Sequence, residues 1–207
     1  AGKKVLAEGA QGSMLDVDFG TYPFVTSSNT ISAGVCTGLG IAPQWIKEVI
    51  GVTKAYCTRV GSGPFPTELH DATGERLRAA GHEFGAVTGR PRRCGWIDLV
   101  ALNYTCMLSG VTQLVMTKSD VLDEFDEILA CTAYGINGEE TRQLPFQING
   151  LDIKPVWETF KGWSNKTSTC KQFNELPAEM KAFVAAVDSY LGVPVKYVSN
   201  GPGRDQI

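Results

Sequence analysis

Ile97-Asp98-Leu99-Val100-Ala101-Leu102-Asn103-Tyr104-Thr105-Cys106-Met107-Leu108-Ser109-Gly110-Val111-Thr112-Gln113-Leu114-Val115-Met116-Thr117-Lys118-Ser119-Asp120 holds two periods in succession. Apolar residues at 97, 100, 101, 104, 107 and 108 follow the i, i+3, i+4, i+7 pattern and predict a helix over 97–108, with Gly110 as its stop. Residues 112–117, with Leu114-Val115-Met116 at their centre, then read as a buried strand. The same order recurs near the C-terminus. A helix from Pro177 buries Met180, Phe183, Val184, Val187 and Leu191, stops at Gly192 and feeds a short strand over 195–199. Helix-then-strand units of this kind build a mixed α/β sheet.

Working outward, Val5-Leu6-Ala7 reads as a short buried strand closed by the turn Glu8-Gly9-Ala10-Gln11-Gly12. Residues 20–40 are rich in Gly, Ser and Thr and read as a loop of hydroxyls and amides. Pro43 opens a short helix with Ile46, Val49 and Ile50 on one face, and 52–60 reads as a strand ending at Gly61-Ser62-Gly63-Pro64. Residues 127–134 and the segment after Asn137-Gly138 read as a β-hairpin. With no repeat, low-complexity tract or linker, the chain reads as one domain.

Composition narrows the function classes. The 207 residues are 43% hydrophobic and 20% charged, which is globular rather than disordered. The longest apolar run is six residues, Ala182 to Val187, against the ~20 a membrane span requires. A net charge of −3 argues against a nucleic-acid coat, which needs a strongly basic face, but leaves room for a local cationic pocket. No two of the six cysteines have C-x-x-C spacing, which argues against zinc ribbons and thioredoxin-type redox motifs and favours reduced thiols. His70 and His82 have no metal-ligand spacing, so no metal site is expected in the chain. There is no Walker A loop, no G-x-G-x-x-G and no G-x-S-x-G elbow.

Ligands of open α/β sheets bind beyond the carboxyl ends of strands, so the loops there are the places to search. Gln11, in its glycine turn, has an amide that donates and accepts at once; the alternative is a tight turn with a solvated glutamine. Thr117-Lys118-Ser119-Asp120 resembles the guanine-reading N-K-x-D pattern, with Thr in place of Asn. A carboxylate accepts from guanine N1–H and the exocyclic amine together, while a lysine stem covers the ring. The alternative is a surface turn with a helix N-cap at Asp120. Gly85-Ala86-Val87-Thr88-Gly89-Arg90-Pro91-Arg92-Arg93 places three forked guanidinium donors beside a hydroxyl and two glycines, suited to carboxylates or phosphates. A solvated basic loop, a nucleic-acid patch or a localisation signal compete with that reading. Ser199-Asn200-Gly201-Pro202-Gly203, taken alone, is a turn.

In this order, these segments closely resemble the adenylosuccinate synthetase family. The resemblance rests on 8–12, 20–30, 58–68, 83–93 with Gly95-Trp96, 117–123 and 194–204, and runs from about Val5 to the end. It implies an α/β fold, with a mixed, mostly parallel sheet of P-loop-NTPase-like type, helices on both faces and an added β-hairpin. It implies a ligase in which GTP phosphorylates the 6-oxygen of IMP and L-aspartate then displaces phosphate to give adenylosuccinate. By the same resemblance, Gln11 contacts the base near the reacting oxygen and is the catalytic candidate, and Thr26, Val60 and Arg90 join it around IMP. Ala86, Val87, Thr88, Gly89, Arg90 and Arg92 form the aspartate loop. Arg92, Lys118, Ser119, Asp120, Ser199, Asn200 and Gly201 serve GTP. Magnesium, a homodimer and a cytoplasmic (or organellar) location are also implied, with no nucleic-acid or membrane partner. The family's phosphate loop, catalytic aspartate and histidine, magnesium ligands and dimer-crossing arginine have no counterpart here. The chain is therefore expected to be the C-terminal portion, 1–207, of a single domain, inactive alone and a few residues short at its end. The reading from a different class is a non-catalytic guanine-nucleotide-binding module; a structural one is an inert dimerisation fragment.

Overall fold

The computed structural model describes residues 2–86 and 89–207 and shows an α/β fold built on a short parallel sheet. Strands β1 (Ile50–Lys54) and β2 (Cys57–Arg59) are followed by helix α2 (Ala72–Ala80), with helix α1 (Ala33–Leu39) preceding them. Then come β3 (Arg93–Gly95), β4 (Ile97–Asp98), helix α3 (Leu99–Ser109) and β5 (Gln113–Thr117). The chain closes with β6 (Glu127–Ile136), β7 (Glu139–Thr141), β8 (Ile153–Lys161), helix α4 (Ala178–Leu191) and β9 (Val195–Val198).

The helix expected over 97–108 starts two residues later, because Ile97 and Asp98 pair with Ala130 and Cys131 of β6 as β4. Asp98 caps α3 by accepting the Ala101 N–H at 3.0 Å, and Gly110 ends it at a φ of 59°. The next strand, β5, is central in the order β1-β5-β9 and parallel to both neighbours; Leu114 and Met116 share one face and are fully buried, while Gln113, Val115 and Thr117 lie on the other. Helix α4 buries Met180, Phe183, Val184, Val187 and Leu191, as its spacing predicts. Phe183 meets Phe160 of β8 edge-on at 5.3 Å, joining the helix to the second sheet. In that sheet β6 is parallel to β4 and antiparallel to β7 and β8.

The hairpin forms where expected. Asn137 and Gly138 both take positive φ, 53° and 87°, the requirement of a two-residue turn whose twist matches the strands. Its third strand, β8, is hidden in the sequence by interleaved charges and by Pro155, which an edge strand tolerates.

Four expectations are corrected. Val5-Leu6-Ala7 is not a strand: Val5 and Leu6 are 81% and 84% exposed and pair with nothing among the described residues, so their apolarity has no surface to bury. The 20–40 loop contains α1, capped by Gly40 at φ 64° and moored by the Ser32 hydroxyl to the Ser109 carbonyl at 2.7 Å. Pro43 starts only a 3-10 turn, Pro43–Trp45, because Ile50 is drawn into β1 by its pairing with Gln113. The 52–60 strand breaks at Ala55-Tyr56: Ala55 N–H still reaches the Thr117 carbonyl, after which the chain leaves this sheet and β2 pairs with β3. No helix among the described residues is long and apolar enough to cross a membrane, and all six cysteines are free.

Candidate functional site

The three parallel strands end side by side, so the loops leaving β5 and β9 are forced into contact. Lys118 turns the chain with a left-handed φ of 58°, a conformation a non-glycine residue keeps only when its surroundings hold it. Ser119 is buried, and its hydroxyl donates to the Ser199 carbonyl at 2.6 Å while its N–H reaches the same oxygen at 3.3 Å. The Ser199 hydroxyl in turn donates to the Gly201 carbonyl at 3.0 Å. Asn200 is also buried, its amide donating to the Thr167 and Cys170 carbonyls. Thr167 is held by Asp123, whose carboxylate accepts its N–H at 2.8 Å, its hydroxyl at 3.0 Å and the Trp163 indole N–H at 2.8 Å. Burial pushes the Asp123 carboxyl up, against the pull of those donors.

The side chains of Ser119 and Asn200 thus clasp two loops together, and Asp120 is left over. Its carboxylate is half-buried and has no hydrogen-bond donor among the described residues. The 3-10 turn Ser119–Leu122 begins after Lys118, so Asp120 lies inside it rather than capping it. A hollow of about 170 Å³ opens beside Asn200, between Lys171, Phe173, Tyr197 and Asp205, and does not reach Gln11 or Arg90.

A second cluster gathers on Glu83, a carboxylate with no exposed surface. One oxygen accepts from the Lys54 ammonium at 2.7 Å and the Tyr56 hydroxyl at 2.6 Å, and the other accepts from the Arg92 guanidinium at 2.7 Å. The Lys118 ammonium lies 3.6 Å from it and donates to the Gly81 carbonyl at 2.6 Å. Burial alone would raise the Glu83 carboxyl; hydrogen bonds from Lys54 and Tyr56, the Lys54 charge and the Arg92 hydrogen bond outweigh it and hold it at about 2. Tyr56 is driven upward by burial and by the Glu83 charge, so it stays a neutral donor.

Arg92 is fixed at the root of the arginine loop. The loop is cross-linked by Gly85 N–H to the Arg90 carbonyl at 2.8 Å and Arg92 N–H to the Glu83 carbonyl at 2.9 Å. The Arg92 Nε–H is buried without an acceptor among the described residues. Ala86, Gly89 and Arg90 are exposed, while Val87 and Thr88 lie outside the described residues.

The third cluster brings Gln11 and Thr26 together. The Gln11 amide donates to the Thr26 hydroxyl at 3.1 Å, and its oxygen lies 3.4 Å from the Ser28 hydroxyl. Gln11 too has a positive φ, 66°. The loop beneath is organised by buried Asp16, whose carboxylate accepts four backbone N–H groups: Asp18 and Phe19 on one oxygen, Thr30 and Ile31 on the other. Burial works to raise this carboxyl, and the four donors still hold it below the usual carboxylate value. Arg59, at the end of β2, donates to the Thr21 hydroxyl at 2.9 Å and the Phe24 carbonyl at 3.1 Å. It lies opposite Arg93 in the β2–β3 pair, next to Arg92. Val60 is 73% exposed at the same strand end.

The three clusters therefore lie along one path: Gln11 and Thr26, then Arg59 beside Arg93, then Arg92 and Glu83, then Lys118 and the 199–201 loop. Nothing in the sequence assigns a role to Lys54, Tyr56, Glu83 or Asp16. Asp16 is one carboxylate among turn residues, and Glu83 precedes a glycine loop with nothing local to mark it.

The adenylosuccinate synthetase family model matches residues 1–207. Curated relatives described as adenylosuccinate synthetase include that of Parabacteroides distasonis, 60% identical over 99% of this chain and 48% of its own length. That of Porphyromonas gingivalis is 58% identical over 100% of this chain and 48% of its own. A fully ligated adenylosuccinate synthetase from Plasmodium falciparum superimposes with a TM-score of 0.92 at 44% identity, covering 96% of this chain and 48% of that one. A cyanophage S-2L succinoaminodeoxyadenylate synthetase shares the fold with a TM-score of 0.57 at 18% identity, covering 96% of this chain and 44% of that one. The chain spans about half the length of the curated relatives it matches. On these matches, over its whole length, the chain belongs to the adenylosuccinate synthetase family.

Proposed function

We propose that this chain carries the base-, aspartate- and guanine-recognition loops of a GTP-dependent ligase, which joins L-aspartate to IMP through 6-phosphoryl-IMP and releases GDP and phosphate. The observation that carries the reading is the clasp of Lys118-Ser119-Asp120 on 199–201. It spends every polar side chain except the Asp120 carboxylate, an acceptor matched to the paired N–H donors of guanine. With its ammonium committed to Gly81 and Glu83, Lys118 offers its aliphatic stem to the base. The other proposed guanine contacts of this loop pair come from the backbones of Ser119, Ser199, Asn200 and Gly201.

Around Glu83, three cations face one carboxylate, leaving a net positive surface for phosphate and dicarboxylate ligands. Arg92 serves both the aspartate and GTP sides from this position, and Ala86, Val87, Thr88, Gly89 and Arg90 complete the aspartate loop. At the other end, the Gln11 amide has one N–H committed to Thr26 and a second to offer the base 6-oxygen as charge develops there, a contribution of ~3 kcal/mol by analogy with oxyanion donors. Thr26 takes the IMP phosphate, and Val60 and Arg90 the ribose side.

Magnesium is part of the family reading, but no three His, Cys, Asp or Glu side chains are gathered to hold it among the described residues, and no step is routed through it. Residues 1–207 alone are proposed to be inactive, as the C-terminal portion of a single domain, and the full-length protein to be a homodimer. The six free thiols support a reducing, cytoplasmic setting. The test is steady-state turnover of the full-length protein, which should consume GTP only when IMP and aspartate are both present. Turnover that ignores IMP would overturn the ligase reading in favour of a guanine-nucleotide-binding module.

A further inference from the structure

Glu83 is fully buried, and its four partners come from three separate stretches of chain: Lys54 closing β1 with Tyr56 just beyond it, Arg92 from the arginine loop and Lys118 after β5. Removing one partner from such a group is costly because the buried charge keeps its desolvation without its compensation. All four partners are therefore fixed relative to one another through a single carboxylate. Two of them serve different parts of the site in the proposed function: Lys118 the guanine base, and Arg92 the aspartate loop as well as GTP.

We propose that Glu83 is a positioning residue which sets the guanine side and the dicarboxylate side of the site together. It holds the Lys118 ammonium back so that the stem faces the base, and it holds the Arg92 guanidinium at the root of the arginine loop. Gly81 and Glu83 lie in one short segment, and both face the Lys118 ammonium, the first as a hydrogen-bond acceptor and the second as a charge. The Gln11–Thr26 pair shares no hydrogen bond with Glu83 and is organised by Asp16 and Arg59, so in the proposed function IMP meets the Glu83 cluster only through Arg90 of the arginine loop. The inference rests on the ligase reading, and it separates the three substrates into two whose recognition groups Glu83 holds directly and one, IMP, that depends on it least.

The experiment measures kcat and the three KM values of the full-length enzyme and of two variants. Glu83→Gln keeps the shape and removes the charge, and the KM for GTP and the KM for aspartate should each rise about tenfold or more, while that for IMP stays within about twofold. Tyr56→Phe removes one donor and leaves every charge in place, guarding against a misfolded Gln variant; the same two constants should rise together by a smaller factor. If all three KM values move alike, or if kcat alone falls, Glu83 is merely structural and the proposal fails. If Tyr56→Phe folds and moves the GTP constant without the aspartate constant, the shared positioning fails. Absence of IMP-dependent GTP turnover in the unaltered enzyme would instead overturn the ligase reading, before either variant is considered.

Discussion

Replacing Asp16 by Asn tests how the proposed IMP end of the site is built. Its carboxylate accepts N–H groups from Asp18 and Phe19, both at 3.0 Å, on one oxygen and from Thr30 at 2.7 Å and Ile31 at 3.3 Å on the other. An asparagine keeps one oxygen, so whichever way its amide turns, two donors lose their acceptor and face an NH2 group. Each buried donor left unsatisfied costs roughly 1–3 kcal/mol, which gives about 2–6 kcal/mol for the pair. That is a large part of the ~5–15 kcal/mol that holds a typical domain together. The loss should stay local, because the hydrogen bonds of Asp16 all lie within 13–31, away from the β5 and α4 core.

Hydrogen exchange is the assay. In the Asn variant, amide protection should fall across 14–31 and persist in β5, β6 and α4. IMP should bind more weakly, since Thr26 N–H reaches Leu15 beside this carboxylate and the Thr26 hydroxyl is the partner of Gln11. Acid should produce the same local loosening in the unaltered protein. The folded carboxyl titrates below its ordinary value of 3.8, so its contribution is present above that value and lost as pH falls through the lower folded one. Unchanged protection at Thr30 and Ile31, or a collapse spread evenly over the chain, would refute the account of Asp16 as a local organiser.

Three further outcomes are expected. Glu83 titrates at about 2 against an ordinary 4.5, so its stabilisation, ~3 kcal/mol by linkage, is present above pH ~4.5 and lost as pH falls toward ~2. The acid slope of Tm should flatten in Lys54→Met, which raises the folded value by removing a partner. Asp120→Asn exchanges an acceptor for a donor, so in the full-length protein GTP should weaken by about tenfold or more while a xanthosine triphosphate gains; a variant that discriminates as before would remove Asp120 from the base contact. Asp123→Asn leaves either the Trp163 indole or the Thr167 groups without their acceptor, at about 1–3 kcal/mol, and Trp163 fluorescence should shift with it. An unshifted spectrum and an unchanged Tm would show that the 163–170 loop is held by something else.

What the sequence reveals is what lies close together along it. The period of α3 and the apolar run of β5 predict a helix and a buried strand because the burial of a helix face, or of a short apolar run, is written directly in the spacing. Asn137-Gly138 predicts its turn because both positions need positive φ. The failures come where a distant partner decides. Val5-Leu6 has the composition of a strand but no neighbour among the described residues, and the 52–60 run is divided because Ala55 stays on β5 while Cys57 joins β3. Helix α1 buries no residue fully, so no apolar stripe announces it.

The same distinction runs through the site. Lys118 and Asp120 stand out locally because two functional groups sit two residues apart after a strand. Ser119 and Asn200 stand beside such groups, and the sequence cannot separate a residue that faces a ligand from one that faces inward. The structure does so through burial: the Ser119 hydroxyl and the Asn200 amide are both consumed by backbone carbonyls of other loops. Glu83 is the extreme case, since its significance lies wholly in cations brought to it from three other stretches. A buried carboxylate held well below its ordinary titration by Lys54, Tyr56 and Arg92, with a third cation, Lys118, 3.6 Å away, is a costly arrangement for a purely structural purpose, because an apolar group of similar volume would often stabilise the fold as well. Such a group fixes where cations stand. The positions it fixes, one beside the carboxylate proposed to read guanine and one at the arginine loop, are where the proposed ligase, handling two nucleotides and a dicarboxylate, needs its charges placed before any of them arrives.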